Sequence, residues 1–160
     1  MSTPQTAPYV IGIDLGGTKI RLGLVSPQDE IVAVCQTPTE PHQGPDAVVA
    51  KIAACVAGLI AEAPAGATIA AVGICSPGPV DHAAGRLIDP PNLQGLHHTP
   101  LRDRLVECLG LPVVLEHDAK AAALGDYYFG AGRGAPSMVY IVVGTGVGAA
   151  LILDGVLYRG

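Results

Sequence analysis

Asp14-Leu-Gly-Gly-Thr18-Lys19 sets a carboxylate, two glycines, a hydroxyl and an ammonium side by side in this 160-residue chain. Glycines let a backbone approach a ligand closely, and the N–H groups of such a turn can cradle phosphate oxygens. Gly16 and Gly17 would supply that turn, Thr18 a hydroxyl and Lys19 a cation. Asp14 would repel a phosphate directly, but a carboxylate can hold a hydrated Mg²⁺ that neutralises one. The same residues also suit a tight β-hairpin with an aspartate at its turn, and local chemistry leaves the two readings level. The stretch is neither a Walker A loop, since it lacks Gly-Lys-Ser/Thr, nor a GxGxxG dinucleotide fingerprint.

Three other stretches carry similar potential. Gly144-Thr145-Gly146-Val147-Gly148 is a second glycine turn between apolar runs. Alone it reads as a hairpin turn; beside the first, it suggests two grips on one polyphosphate. Glu116-His117-Asp118 ends one apolar run and precedes the Ala-rich segment 119–125. Asp118 is a good helix N-cap. It also stands where open α/β sheets place active-site groups, at a strand's C-terminal end, and there a carboxylate could take a proton from a substrate hydroxyl. Asn92, in Pro-Asn-Leu-Gln-Gly, is a turn residue whose amide could also donate to and accept from sugar hydroxyls. His42, His97 and His98 read as loop residues without partners. Cys35, Cys55, Cys75 and Cys108 lie in apolar runs with no metal-ligand spacing, so buried free thiols are expected.

These residues need elements to position them. Tyr9–Leu15, Ile20–Val25 and Ile31–Thr37 are β-rich runs separated by short turns, which predicts an antiparallel meander. Pro45 suits the first turn of a helix whose apolar face is Val48, Val49, Ile52, Val56, Leu59 and Ile60. Thr68–Cys75 is a continuous apolar run, expected as a strand buried on both faces. Pro79–His82 and Arg86–Ile88 predict a small hairpin about Gly85. Thr99–Leu109 reads as a helix capped by Thr99 with Pro100 first. Pro112–Glu116 reads as a buried strand and Asp118–Phe129 as a helix. Met138–Val143 and Ala149–Leu153 read as two further strands, weakly repeating the opening layout. The order predicts an α/β fold with a mixed five-stranded sheet and flanking helices.

Composition bounds the function class. The chain is 49% hydrophobic, rich in Gly and Pro, and carries a net charge of −5. Its nine Lys and Arg form no cluster, which argues against a nucleic-acid surface. No apolar run approaches a membrane span, and the first eight residues have no signal-peptide pattern. A cytoplasmic protein with no membrane or nucleic-acid partner is expected.

Taken together, "GIDLGGTKIRLGLV", "GICSPGPVD", "PPNLQGL", "LPVVLEHDAKAAALGDYYFGAG" and "VYIVVGTGVGAALILDGVLYRG" closely resemble the ROK family of bacterial sugar kinases and sugar-sensing repressors. The likeness runs from Tyr9 to Gly160. It implies the actin-like (ribonuclease H-like) ATPase fold, with a disordered N-terminus over 1–8, an N-terminal lobe over 9–135, and the first hairpin of a second lobe over 136–160. It also implies ATP and Mg²⁺. By resemblance Asp14, Gly16, Gly17, Thr18 and Lys19 form the first phosphate loop, with Asp14 holding Mg²⁺ through water, and Gly144, Thr145 and Gly146 form the second. Asp118 matches the base that activates the sugar's primary hydroxyl. Gly78, Asn92 and His117 line the sugar site with Asp118. The family's kinases usually carry Asn at the position of His117, and Asp126 stands where Glu is more usual.

ROK kinases continue beyond the region matching Gly160, to a Gly-Glu-x-Gly-His segment, a cysteine-rich zinc site and most of the second lobe. The four cysteines here do not match the zinc ligands, so zinc is not expected. With one lobe the site is half built, and strands 138–158 would lack sheet partners and leave open edges. Self-association, or a disordered tail, is therefore expected, with a homo-oligomer as the assembly. An ATP-dependent glucose or N-acetylhexosamine 6-kinase is the main reading. A sugar-sensing regulator is the second; the first strand near Tyr9 leaves no room for a preceding DNA-binding module. A non-catalytic sugar-binding remnant is the third.

Overall fold

The computed structural model describes residues 7–143 and 147–159. The expected disorder over 1–8 falls mostly on residues 1–6, outside the described residues.

Strands β1 (Tyr9–Leu15), β2 (Lys19–Val25) and β3 (Ile31–Pro38) form the antiparallel meander. Period-2 alternation turns Ile11, Ile13 and Leu15 of β1 and Ile20, Leu22 and Leu24 of β2 to one buried face. Strand β4 (Ile69–Ser76) then runs parallel to β1. After the small hairpin of β5 (Val80–Asp81) and β6 (Arg86–Leu87), β7 (Val113–His117) runs parallel to β4. The sheet order is β3-β2-β1-β4-β7, the mixed five-stranded sheet expected from the order of elements.

Helix α1 (Pro45–Glu62) covers the buried face with Val48, Val49, Ile52, Cys55, Val56 and Leu59. Proline presets φ at its first position, where the missing N–H costs no helical bond. Ile60 is exposed rather than part of that face. Helix α2 (Leu101–Leu109) packs beside α1, with Leu101 and Leu105 buried, and stops at Gly110 in the left-handed conformation. Truncating such a buried leucine costs about 2–5 kcal/mol. Thr99 does not cap α2. Pro100 is the N-cap, and buried Thr99 instead spends its carbonyl on the Leu87 and Leu101 amides.

Two further expectations are corrected. Strand β4 is not buried on both faces: Ala70 and Gly73 are exposed, as is Val114 on β7, so one face of the sheet is open. The alternation was masked because the open side carries small or apolar residues. Nor are the cysteines four buried thiols. Cys35 of β3 is paired with Cys55 of α1, Cys75 is partly buried and Cys108 is exposed. Periodicity alone could not show that β3 and α1 bring two sulfurs together.

Helix α3 (Asp118–Phe129) follows β7 directly and carries a second sheet, of β8 (Met138–Val143), β9 (Val147–Leu153) and β10 (Val156–Tyr158). Strand β10 was not expected from the sequence. Ala123 of α3 forms a small core with Ala150, Ile152 and Leu157. These strands therefore have partners: they pair with one another and pack on α3.

Candidate active site

Parallel register aligns the C-terminal ends of three adjacent strands. Asp14 on β1 faces Cys75 on β4, and Cys75 faces Glu116 on β7. Asp118 follows two residues on, at the first turn of α3. Two strand spacings of roughly 5 Å each set the lateral gap between the Asp14 and Asp118 strands at about 10 Å. Cys75 lies between them. Its Sγ donates weakly to Asp14 Oδ1 at 3.9 Å. Burial pushes the thiol up to about 12, with the charges of Asp14 and Asp118 adding to the effect. The thiol therefore stays protonated between the two carboxylates.

The glycine turn joins β1 to β2. Gly16 N–H donates to Lys19 O at 3.0 Å, closing the turn, while the Gly17 and Thr18 amides have no hydrogen-bond partner among the described residues. Two unspent amides on an open turn are what an oxyanion would accept. The turn is held from behind by Thr39, which is fully buried. Its Oγ1 donates to Gly16 O at 2.6 Å and its N–H to Thr18 O at 3.0 Å. A β-carbon at Gly17 would stand 2.7 Å from Asn92 O, so only glycine lets the first loop meet the Pro-Asn-Leu-Gln segment. Gly17, Thr18 and Asn92, with His42 and Gln94, line a cavity of about 460 Å³. Lys19 is exposed at the start of β2, and its ammonium has no partner among the described residues.

At the other end, the His117 ring lies over Gly78, where a β-carbon would stand 2.6 Å from Nε2. Gly78 precedes a cis-linked Pro79. Asp118 is not the N-cap of α3; His117 holds that position. Ala119 N–H donates to Asp118 Oδ1 at 2.6 Å and lies 3.3 Å from His117 Nδ1. Glu116 is buried beneath this pair. Its Oε1 accepts from His117 N at 3.0 Å and its Oε2 from Arg159 Nε at 2.9 Å, with His82 Nδ1 at 3.4 Å. Pro79, Glu116, His117, Lys120 and Arg159 line a larger cavity of about 620 Å³.

The structure thus brings Gly17 to Asn92, His117 to Gly78, and Asp14 and Asp118 to either side of Cys75. Gly144, Thr145 and Gly146 lie outside the described residues. Several site residues were not found from sequence. Arg21 sits opposite Asp14 on β2, its Nη1 3.6 Å from Asp14 Oδ2, and cross-strand pairing on one face could have located it. Thr39 and Arg159 are far from the site in sequence, and His82, four residues after Gly78, reaches Glu116 only through the fold; nothing local marks them. His97 is not without a partner: it pairs with Asp89.

A single exposed carboxylate, Asp14, beside unspent turn amides fits Mg²⁺, which usually keeps several waters and takes one or two carboxylates plus substrate phosphates. Among the described residues no group of three or more His, Cys, Asp or Glu could hold a metal by protein ligands alone.

The family model described as "ROK family" matches residues 10–160. The chain is 39% identical over 150 residues to a glucokinase of Streptomyces coelicolor, covering 94% of this chain and 45% of that one. It is 35% identical over 150 residues to an N-acetylmannosamine kinase of Salmonella newport, covering 94% and 49%. A crystal structure of a ROK family glucokinase from Streptomyces griseus in complex with glucose and AMPPNP superposes with a TM-score of 0.81 at 40% identity, covering 95% of this chain and 46% of that one. The chain spans about half the length of the curated relatives it matches.

Proposed function

The chain belongs to the ROK family, and from that premise we propose that it forms the N-terminal part of an ATP-dependent hexose or N-acetylhexosamine 6-kinase. The observation that carries this reading is the aligned strand ends: a carboxylate suited to Mg²⁺ at β1, and a second carboxylate two strands away at the start of α3.

ATP is the phosphoryl donor; the Gly17 and Thr18 amides and Lys19 would hold its phosphates, and Gly144, Thr145 and Gly146, outside the described residues, are the expected second grip. Asp14 would hold Mg²⁺ through water, and the ion would neutralise phosphate charge there. Asn92, Gly78 and His117 orient the sugar. Asp118 accepts the proton of the 6-hydroxyl as its oxygen bonds to the γ-phosphorus, and the bond from that phosphorus to the ADP oxygen breaks. The relatives named for glucose and for N-acetylmannosamine keep both substrate classes open. We assign the protein to the cytoplasm, as a homo-oligomer; no helix among the described residues is long and apolar enough to cross a membrane.

ADP release should be followed with glucose, N-acetylglucosamine and N-acetylmannosamine, on this chain and on a form extended to its relatives' length. Asp118→Asn should lower turnover of the extended form by about 10²–10⁴-fold, the usual contribution of a general base. Turnover within tenfold of the parent would show that Asp118 is not the base.

A further inference from the structure

Glu116 is a buried carboxylate that the proposed phosphoryl transfer does not use. The polar groups that meet it are donors. His117 N–H reaches Oε1 at 3.0 Å, and Arg159 Nε–H reaches Oε2 at 2.9 Å. His82 Nδ1 lies 2.8 Å from the Leu115 carbonyl and 3.4 Å from Glu116 Oε2. Both of those oxygens only accept, so Nδ1 carries a proton there. Among the described residues, donors from three places in the chain thus converge on one carboxylate. An ionised carboxylate accepts at both oxygens and brings no donor of its own. A glutamine of the same shape would turn N–H groups toward one of these donors, so the charge is part of the fit.

Arg159 is held twice. Its guanidinium meets Glu116, and its carbonyl accepts from Lys120 Nζ at 3.0 Å. Glu116 and Lys120 stand two residues before and two residues after Asp118. Arg159 directly follows β10, at the edge of the second sheet. The end of that sheet is therefore fastened on both sides of Asp118, to the strand end before it and to the first helical turn after it. The Glu116 oxygen that does not meet Arg159 grips the amide of His117, the residue that leads into Asp118.

We propose that Glu116 and Arg159 are positioning residues that together clamp the backbone at Asp118 and tie its place to that of the second sheet. That the clamped residue is the base rests on the kinase reading; the clamp itself can be tested without turnover.

Amide hydrogen exchange on this chain reads the clamp directly. Arg159→Met keeps an apolar stem and removes the charge. Exchange at His117 and Ala119 should quicken roughly tenfold, about the worth of one charge-assisted hydrogen bond, while buried α1 amides such as that of Ile52 keep their rates. Arg159→Lys should recover most of the protection, because an ammonium can still reach the carboxylate. Unchanged exchange at His117 and Ala119 in Arg159→Met would overturn the proposal, since the pair would then be idle. An equal acceleration in α1 would also overturn it, since the pair would then only stabilise the fold. In the form extended to its relatives' length, Arg159→Met and Glu116→Gln should each lower kcat by about tenfold. The double variant should lose no more than the larger single, because both remove one interaction. Full additivity would contradict a shared clamp. Asp118→Asn is the reference: full turnover there would remove the base, and the exchange result would still decide the clamp.

Discussion

Cys75 shows how a side chain takes its chemistry from its neighbours. Nothing in Gly-Ile-Cys-Ser-Pro marks it, yet it sits on the middle strand of three, between two carboxylates. Burial first, then the charges of Asp14 and Asp118, raise its pKa from an ordinary 9.0 to about 12. The nucleophile in alkylation is the thiolate, so at pH 8 a maleimide should modify exposed Cys108 and leave Cys75 intact until the chain is unfolded. Rapid labelling of folded Cys75 at pH 8 would contradict the placement. The sign for stability follows from linkage. The unfolded thiol ionises from about pH 9 while the folded one stays protonated toward 12, so this contribution is full below pH 9 and is lost as pH rises through that window. Asp14, Asp118 and Asn92 stand out in the sequence as candidate site residues because their types and spacing fit one chemistry. Glu116 stands beside Asp118 in the sequence, but its contacts depend on Arg159, forty-three residues away.

Among the elements, the β1–β2 turn depends most on a distant support. Thr39 lies just beyond β3 and clasps the turn at Gly16 and Thr18. Thr39→Val preserves the shape but leaves the Gly16 carbonyl without its donor. Losing the partner of such a buried group costs about 1–3 kcal/mol, so the urea midpoint should fall with the slope unchanged, and Thr39→Ser should restore it. An unchanged midpoint in Thr39→Val would show that the turn stands alone. The meander, α1 and α3 were legible because apolar spacing and glycine or proline punctuation agree there. The cap of α2 was not. Thr99 has the right side chain, but tertiary packing buries it and directs its carbonyl to Leu87 of β6.

Among the described residues, the second sheet leaves an apolar face open. Val139, Ile141 and Val143 of β8 alternate on one face beside Val147 of β9, and the last two are about three-quarters exposed. Contiguous apolar patches of this kind mark interaction sites. The chain should self-associate at high micromolar concentration, as light scattering after size exclusion would show, and Ile141→Lys should return it toward a monomer. A monodisperse wild-type monomer at that concentration would exclude association through this face. The small core between α3 and the second sheet uses Ala123, Ala150, Ile152 and Leu157, so burial on that side does not extend to the outer face.

The sequence by itself determined the succession of elements, the mixed sheet and the identity of the loops with glycines and carboxylates, because hydrophobic period and turn chemistry are local. Only the tertiary structure decided which residues meet. Strand register places Asp14, Cys75 and Glu116 in one row, the close approach of two loops requires glycine at 17, and the ring of His117 comes to lie over Gly78. Those relations are between residues far apart in the chain, and no local preference encodes them.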